Sequence, residues 1–265
     1  MALSGRIDNV SSEPTAVREW LSTPLGRRCL TNEQRLMRGA LERVFGEQLL
    51  QIGAWGARNT FLRYARTQRR ALVDWRPGVA ADLVCDPEQL AVASDSVDAV
   101  LLPHTLERTS SPHAVLREVD RILRPDGHLI VLSFAPGGLW GLRHLLSSGG
   151  YPHGRDHVIR EGRLRDWLEL LSFDVPAATR YCHTLPIERF KQLRVLPREE
   201  WAGRWLPIFS GGYLLRAQKR VQPLTPVRLW RRQPRLRVVG GLVEPTTRAP
   251  VRVVPHPHPE RPRRS

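Results

Sequence analysis

Two hydrophobic periods alternate along this chain. Gln48–Ile52, Val97–Leu102 and His128–Phe134 are short runs rich in β-branched and aliphatic residues, the length and composition of buried parallel strands. Between the last two, Val115, Val119 and Ile122 recur at one-face helical spacing, with Ser111 placed to cap the helix and Pro112 suited to its first position. Arg124-Pro125-Asp126-Gly127 ends that helix, because proline cannot continue the hydrogen bonding and Asp-Gly tolerates a tight reversal. Strand, crossover helix and strand make a right-handed parallel βαβ unit, and the carboxyl end of its first strand is Leu102-Pro103-His104.

The same reading extends outward. Ala16 to Leu21 fits a short helix, and Thr31-Asn32-Glu33-Gln34 matches a capping box ahead of Leu36, Met37, Ala40, Leu41 and Val44, which predicts an amphipathic helix ending near Gly46. The run Gln48–Ile52 is followed by the small-residue turn Gly53-Ala54-Trp55-Gly56-Ala57 and a helix from Arg58 to about Arg66. Such a turn lets a backbone approach a nucleotide closely. Arg70 to Val73 is a weaker strand, and Asp74 at its end stands 21 residues after Gly53, near the spacing at which an acid holds a ribose hydroxyl. Downstream, Leu139 to Leu146 predicts a helix, as do Leu164, Trp167, Leu168 and Leu171, while Phe173 to Val175 and Tyr213 to Ala217 read as late strands. Ligands of open α/β sheets lie where strands end, so Asp86 to Leu132, the best-punctuated stretch, marks the expected site.

Composition changes this picture in two places. No run is long and apolar enough to span a bilayer and Met1 to Asn9 carries no signal-peptide pattern, so a cytoplasmic protein is expected, with Cys29, Cys85 and Cys182 reduced and unpaired. The formal charge of +15 is unevenly placed: residues 221–265 hold ten Arg and nine Pro against Glu244 and Glu260 alone. That stretch is read as a disordered Arg/Pro-rich tail, either a solubilising appendage or a weak contact for nucleic acid or an anionic surface. Trp230 there sits beside Arg231 and Arg232. The expected organisation is an N-terminal extension over 1–30, one domain over 31–220, and the tail.

Asp86-Pro-Glu-Gln-Leu90, Ser96-Val-Asp-Ala-Val100, His104-Thr-Leu-Glu107 and Leu116-Arg-Glu-Val-Asp-Arg-Ile-Leu-Arg-Pro-Asp-Gly127 resemble, in order, the central signature of class I S-adenosylmethionine-dependent methyltransferases of the methyltransferase type 11 group. Phe134, Pro136 and Trp140-Gly-Leu-Arg143, with the short Gly53 turn, resemble more narrowly the bacterial YafS-type proteins. The resemblance implies an α/β Rossmann-like fold with a mostly parallel, seven-stranded sheet flanked by helices. It implies S-adenosyl-L-methionine as cofactor, with Gly53 and Ala54 receiving the methionine part, Asp74 at the ribose, Asp86 and Pro87 at adenine, and Pro103 and His104 near the reacting methyl.

The chain departs from that pattern at Gln51, where the family carries an acid, and at Trp55 and Ala57, where it carries glycines. Pro87 lacks the backbone N–H that often meets adenine. His104 is the first candidate to act near the transferred group, with Tyr151, His153 and His157 as outside candidates and a structural role as the rival reading for each. Glu107 reads as a local partner and Glu118 as part of a solvated helix face beside Arg117 and Arg121. The Trp- and Leu-rich stretch 193–209 reads as a sheet-edge cover or an apolar pocket wall. The expected function is methyl transfer to a small or apolar molecule without a metal. The alternative is a catalytically degenerate scaffold acting through protein or nucleic-acid contacts.

Overall fold

The computed structural model describes residues 17–76, 79–146, 158–182 and 210–220. A helical stretch over 17–22 leads into α1 (Pro24–Leu41). There follow β1 (Gln48–Ile52), α2 (Asn59–Leu62), β2 (Arg69–Asp74), β3 (Leu83–Val84), β4 (Val97–Pro103), α3 (Pro112–Ile122) and β5 (Leu123–Phe134). Then come α4 (Gly138–Leu146), α5 (Glu161–Leu170), β6 (Phe173–Asp174), β7 (Thr179–Tyr181) and β8 (Gly212–Lys219).

One sheet takes these strands in the order β3-β2-β1-β4-β5-β8-β6, with β7 also on β8. The first five are parallel, and β8 runs antiparallel to β5, from His128↔Gln218 to Phe134↔Gly212. Short β6 and β7 share the outer edge of β8, which makes eight strands where seven are expected. Alternation along the strands sends Leu49, Leu72, Leu101, Ile130 and Leu132 to one face, against Cys29, Met37 and Leu41 of α1. Leu50, Val73, Val100, Leu102 and Val131 go to the other, against Val115, Val119 and Ile122 of α3 and Leu164 and Leu168 of α5. Strand order reverses between β1 and β4, and in a parallel sheet the crevice at the carboxyl ends of those two strands is where a ligand lies.

Several boundaries differ from expectation. Helix α1 starts at Pro24, capped by Thr23, whose Oγ1 accepts from Gly26 N at 3.1 Å. The Thr31 hydroxyl instead donates back to Arg27 O at 2.8 Å inside the helix. The apolar face begins upstream, at Leu25 and Cys29, and burial there outweighs the local capping signal. Helix α2 spans only four residues, and Ser111 stands at the N-cap of α3 without a side-chain cap bond. Its backbone N–H donates to Glu88 Oε1 at 2.8 Å. Cys29 and Cys182 are joined by a disulfide with Cα atoms 5.8 Å apart, which corrects the reading of all three cysteines as unpaired; a separation of 153 residues leaves no spacing pattern to read. Among the described residues no helix is long and apolar enough to cross a membrane. Residues 151, 153, 157, the stretch 193–209, Trp230 and the tail lie outside the described residues.

Candidate functional site

Gly53 follows β1, Asp74 closes β2, Asp86 lies two residues after β3 and Pro103 closes β4, so four parallel neighbours deliver their punctuation to one edge of the sheet. Gly53 adopts φ +87°, and a Cβ there would meet Thr105 Oγ1 at 2.7 Å, so both conformation and space require glycine. Its N–H donates to Val73 O at 2.8 Å, tying the turn to β2, while the Thr105 hydroxyl donates to Ile52 O. Ala54 N donates to Asp74 Oδ2 at 2.7 Å.

Asp74 is fully buried and met on every side. Oδ1 accepts from Arg76 N at 3.0 Å and Arg76 Nε at 2.8 Å, and Oδ2 accepts from Arg76 Nη2 at 2.6 Å as well as from Ala54. Burial alone would raise its carboxyl pKa, but these donors and the guanidinium charge outweigh burial and hold it below the usual value. Asp86, by contrast, is exposed, and among the described residues only its Oδ1 is engaged, accepting from Glu88 N at 2.8 Å beside buried Pro87.

Beneath this edge lies a buried polar network. His104, at φ +53° directly after β4, places Nδ1 3.2 Å from Glu107 Oε2 and Nε2 3.2 Å from Glu33 Oε1. Tyr181 donates to Glu33 Oε1 at 3.1 Å, and Trp55 Nε1 donates to Glu33 Oε2 at 2.8 Å. Glu107 also accepts from Ser133 Oγ and Phe134 N. The imidazole packs against two aromatic rings, with centroids 4.2 Å from Trp55 and 4.1 Å from Phe134. Burial would lower the His104 pKa, but the carboxylates of Glu107 and Glu33 outweigh it and raise it above the ordinary imidazole value. Burial, reinforced by Glu33 and Glu107, lifts the Tyr181 phenol well above its usual range, so it stays a neutral donor.

A cavity of about 580 Å³, within the range of small-molecule sites, opens beside the turn. Ala54, Gly56 and Ala57 line it together with Arg76 and, from the first helical stretch, Val17 and Leu21. Trp55 does not line it, although its neighbours on both sides do: the indole is turned inward and only 2% exposed.

S-adenosylmethionine, the cofactor implied by the sequence, fits the donor set at three points. The Gly53 turn gives close backbone approach. Gln51, 1% exposed, donates through Nε2 to Gly53 O at 3.0 Å, which fixes the amide and leaves Oε1 a buried acceptor with no donor among the described residues. Asp86 offers a carboxylate oxygen to an exocyclic amine. At Asp74 the acid is in place, but Arg76 fills its lone pairs, and a ribose reaches it only where the guanidinium swings aside.

The structure thus places Gly53, Ala54, Asp74 and Pro103, all named from the sequence, along one edge of the sheet, with Gln51 buried before the turn and Asp86 on the loop after β3; Glu33, Arg76 and Tyr181 were not named from the sequence as site residues. Glu33 carried a signal only as a capping-box residue, and its partners are 22, 71 and 148 residues away. Glu118, read as solvated, accepts from Leu90 N at 3.0 Å and pairs with Arg121, fastening α3 to the loop before β4.

Residues 47–131 match the family model described as a methyltransferase domain. The chain is 30% identical over 232 residues to the uncharacterized protein YafS of Escherichia coli K12, covering 84% of this chain and 90% of that one. It is 45% identical over 65 residues to a malonyl-[acyl-carrier protein] O-methyltransferase of Laribacter hongkongensis, which covers 24% of this chain and 22% of that one. A solved SAM-dependent methyltransferase of Thermotoga maritima superposes with a TM-score of 0.58 at 17% identity, covering 78% of this chain and 96% of that one, a likeness of fold.

Proposed function

From the chain's membership of the YafS family, whose sequence here carries a methyltransferase domain, we infer that the protein is an S-adenosylmethionine-dependent methyltransferase that acts on a small or apolar acceptor. The observation that carries this reading is that the Gly53 turn, Gln51 and the end of β4 meet where strand order reverses, with Asp86 on the loop after β3 at the same edge of the sheet. In this reading Gly53 and Ala54 approach the methionine part, Gln51 accepts from it, Asp86 holds adenine beside Pro87, and Asp74 takes the ribose once Arg76 turns away. The cofactor supplies a methyl already activated by its sulfonium.

The protein's own contribution is then positioning: holding an acceptor in line and excluding water. His104 is poorly suited to be a general base. Both ring nitrogens face carboxylates, and its raised pKa favours the imidazolium, which has no lone pair to offer. Its role in this reading is to fix the floor of the site against Trp55 and Phe134.

One observation favours the second reading, a degenerate scaffold: the four hydrogen bonds with which this chain itself saturates Asp74. Incubation of the full chain with methyl-labelled cofactor and fractionated bacterial metabolites separates the two. Label transferred to a small molecule, and lost in Asp86→Ala, supports the enzyme. No transfer from any fraction, with cofactor bound or not, supports the scaffold.

A further inference from the structure

Trp55 stands at a turn position where a bulky side chain has two places to go. Ala54, Gly56 and Ala57 on either side line the 580 Å³ cavity, so an indole turned outward enters it. In the structure the indole is turned inward, tilted against His104 at 4.2 Å and packed near Phe134 at 5.9 Å and Trp20 at 6.1 Å. Ring contacts alone do not fix that choice, because a buried indole N–H also needs an acceptor. The acceptor is Glu33 of α1, fully buried, whose Oε2 takes the indole proton at 2.8 Å. Its other oxygen is held by His104 Nε2 at 3.2 Å and the Tyr181 hydroxyl at 3.1 Å, so the carboxylate itself has no freedom to follow the indole elsewhere. One turn earlier on the same face of α1, Cys29 is bonded to Cys182, the neighbour of Tyr181, which pins this part of the helix against β7.

We propose that Glu33 is a positioning residue of the Gly53 turn: by fixing the indole of Trp55 on the His104 side, it keeps the indole out of the cavity lined by Ala54, Gly56, Ala57 and Arg76, which meets the cofactor-binding turn at Ala54. This rests on the methyltransferase reading for the identity of the ligand, though not for the placement of the indole. It assigns a purpose to the Trp in place of glycine. The turn tolerates it because a helix 22 residues upstream supplies a carboxylate to hold it.

The test uses the full chain as Glu33→Leu, Glu33→Gln, Trp55→Gly and Glu33→Leu/Trp55→Gly. Binding of S-adenosylhomocysteine is measured by calorimetry, and the Trp55 signal by fluorine NMR of 5-fluorotryptophan protein, assigned by its loss in Trp55→Gly. Losing the indole's acceptor in Glu33→Leu is expected to weaken binding at least about tenfold and to move the Trp55 signal. Glu33→Gln keeps an acceptor and is expected to bind within about threefold of wild type. The double variant is expected to match Trp55→Gly, because no indole remains to misplace. A general loss of folding would instead leave the double variant as weak as Glu33→Leu, and that result overturns the proposal, as does unchanged binding in Glu33→Leu. Failure of the wild type to bind would sink the cofactor reading, and the Trp55 signal then decides: a signal unmoved in Glu33→Leu, or moved together with the other tryptophan signals, overturns the positioning role, and one moved alone in Glu33→Leu and restored in Glu33→Gln upholds it.

Discussion

His104 faces two carboxylates in the interior, which raise its pKa against the opposing effect of burial, and that shift links stability to pH. The folded-state pKa is raised, so the stabilisation is complete below the ordinary imidazole value of 6.5 and is lost as pH rises through the raised value. Thermal unfolding followed from pH 6 upward should show a falling midpoint, and His104→Gln should remove that dependence while lowering stability by about 3 kcal/mol, since two carboxylates are left facing one another. Asp74 has the opposite sign. Its pKa is depressed, so its contribution is present above the usual carboxylate value and disappears as pH falls through the lowered one. Arg76→Leu, which strands a buried carboxylate, should cost about 3 kcal/mol in urea unfolding at neutral pH and less in acid, where the carboxyl is protonated. At this scale the sequence exposed what sits at strand ends, since Gly53, Asp74 and Pro103 are fixed by local punctuation. Arg76 and Glu33 were not legible: one is chosen by proximity across a turn, the other by the packing of a distant helix.

Strand lengths and the α3 crossover follow from hydrophobic period, and the structure reproduces β1 over Gln48–Ile52 as the pattern predicts. Helix ends follow it less well, because a capping motif is a local signal that burial of two more turns overrides, as at Leu25 and Cys29 of α1. The β4–β5 pairing hides another long-range device. Register jumps between Val97↔Leu123 and Ala99↔His128, and Arg124-Pro125-Asp126-Gly127 bulges opposite Asp98. Asp98 Oδ2 accepts from both Glu47 N and Gln48 N at 2.8 Å, and Oδ1 pairs with Arg124 at 3.0 Å, so one carboxylate starts β1 and anchors the bulge. Asp98→Ala should therefore lose about 2 kcal/mol of stability, measured by urea unfolding, well above the effect of an ordinary exposed ion pair.

For the whole molecule, the sheet supplies the rim of the proposed site, and the disulfide Cys29–Cys182 ties α1 to the strand end beside it. The disulfide closes a loop of 153 residues, and Cys29→Ser should lower stability by about 2 to 5 kcal/mol under non-reducing conditions, with Cys85→Ser near neutral. The basic segment 221–265 is proposed to act as an electrostatic tether; its removal should reduce retention on immobilised RNA at low salt, a difference that vanishes as salt rises. The proposed cofactor rim of Gly53, Gln51 and Asp86 is tested by calorimetric titration of the full chain with S-adenosylhomocysteine. One site per chain is expected, weakened at least about tenfold in Asp86→Ala, which loses a charged acceptor; no heat at millimolar ligand, or binding indifferent to that substitution, would overturn it.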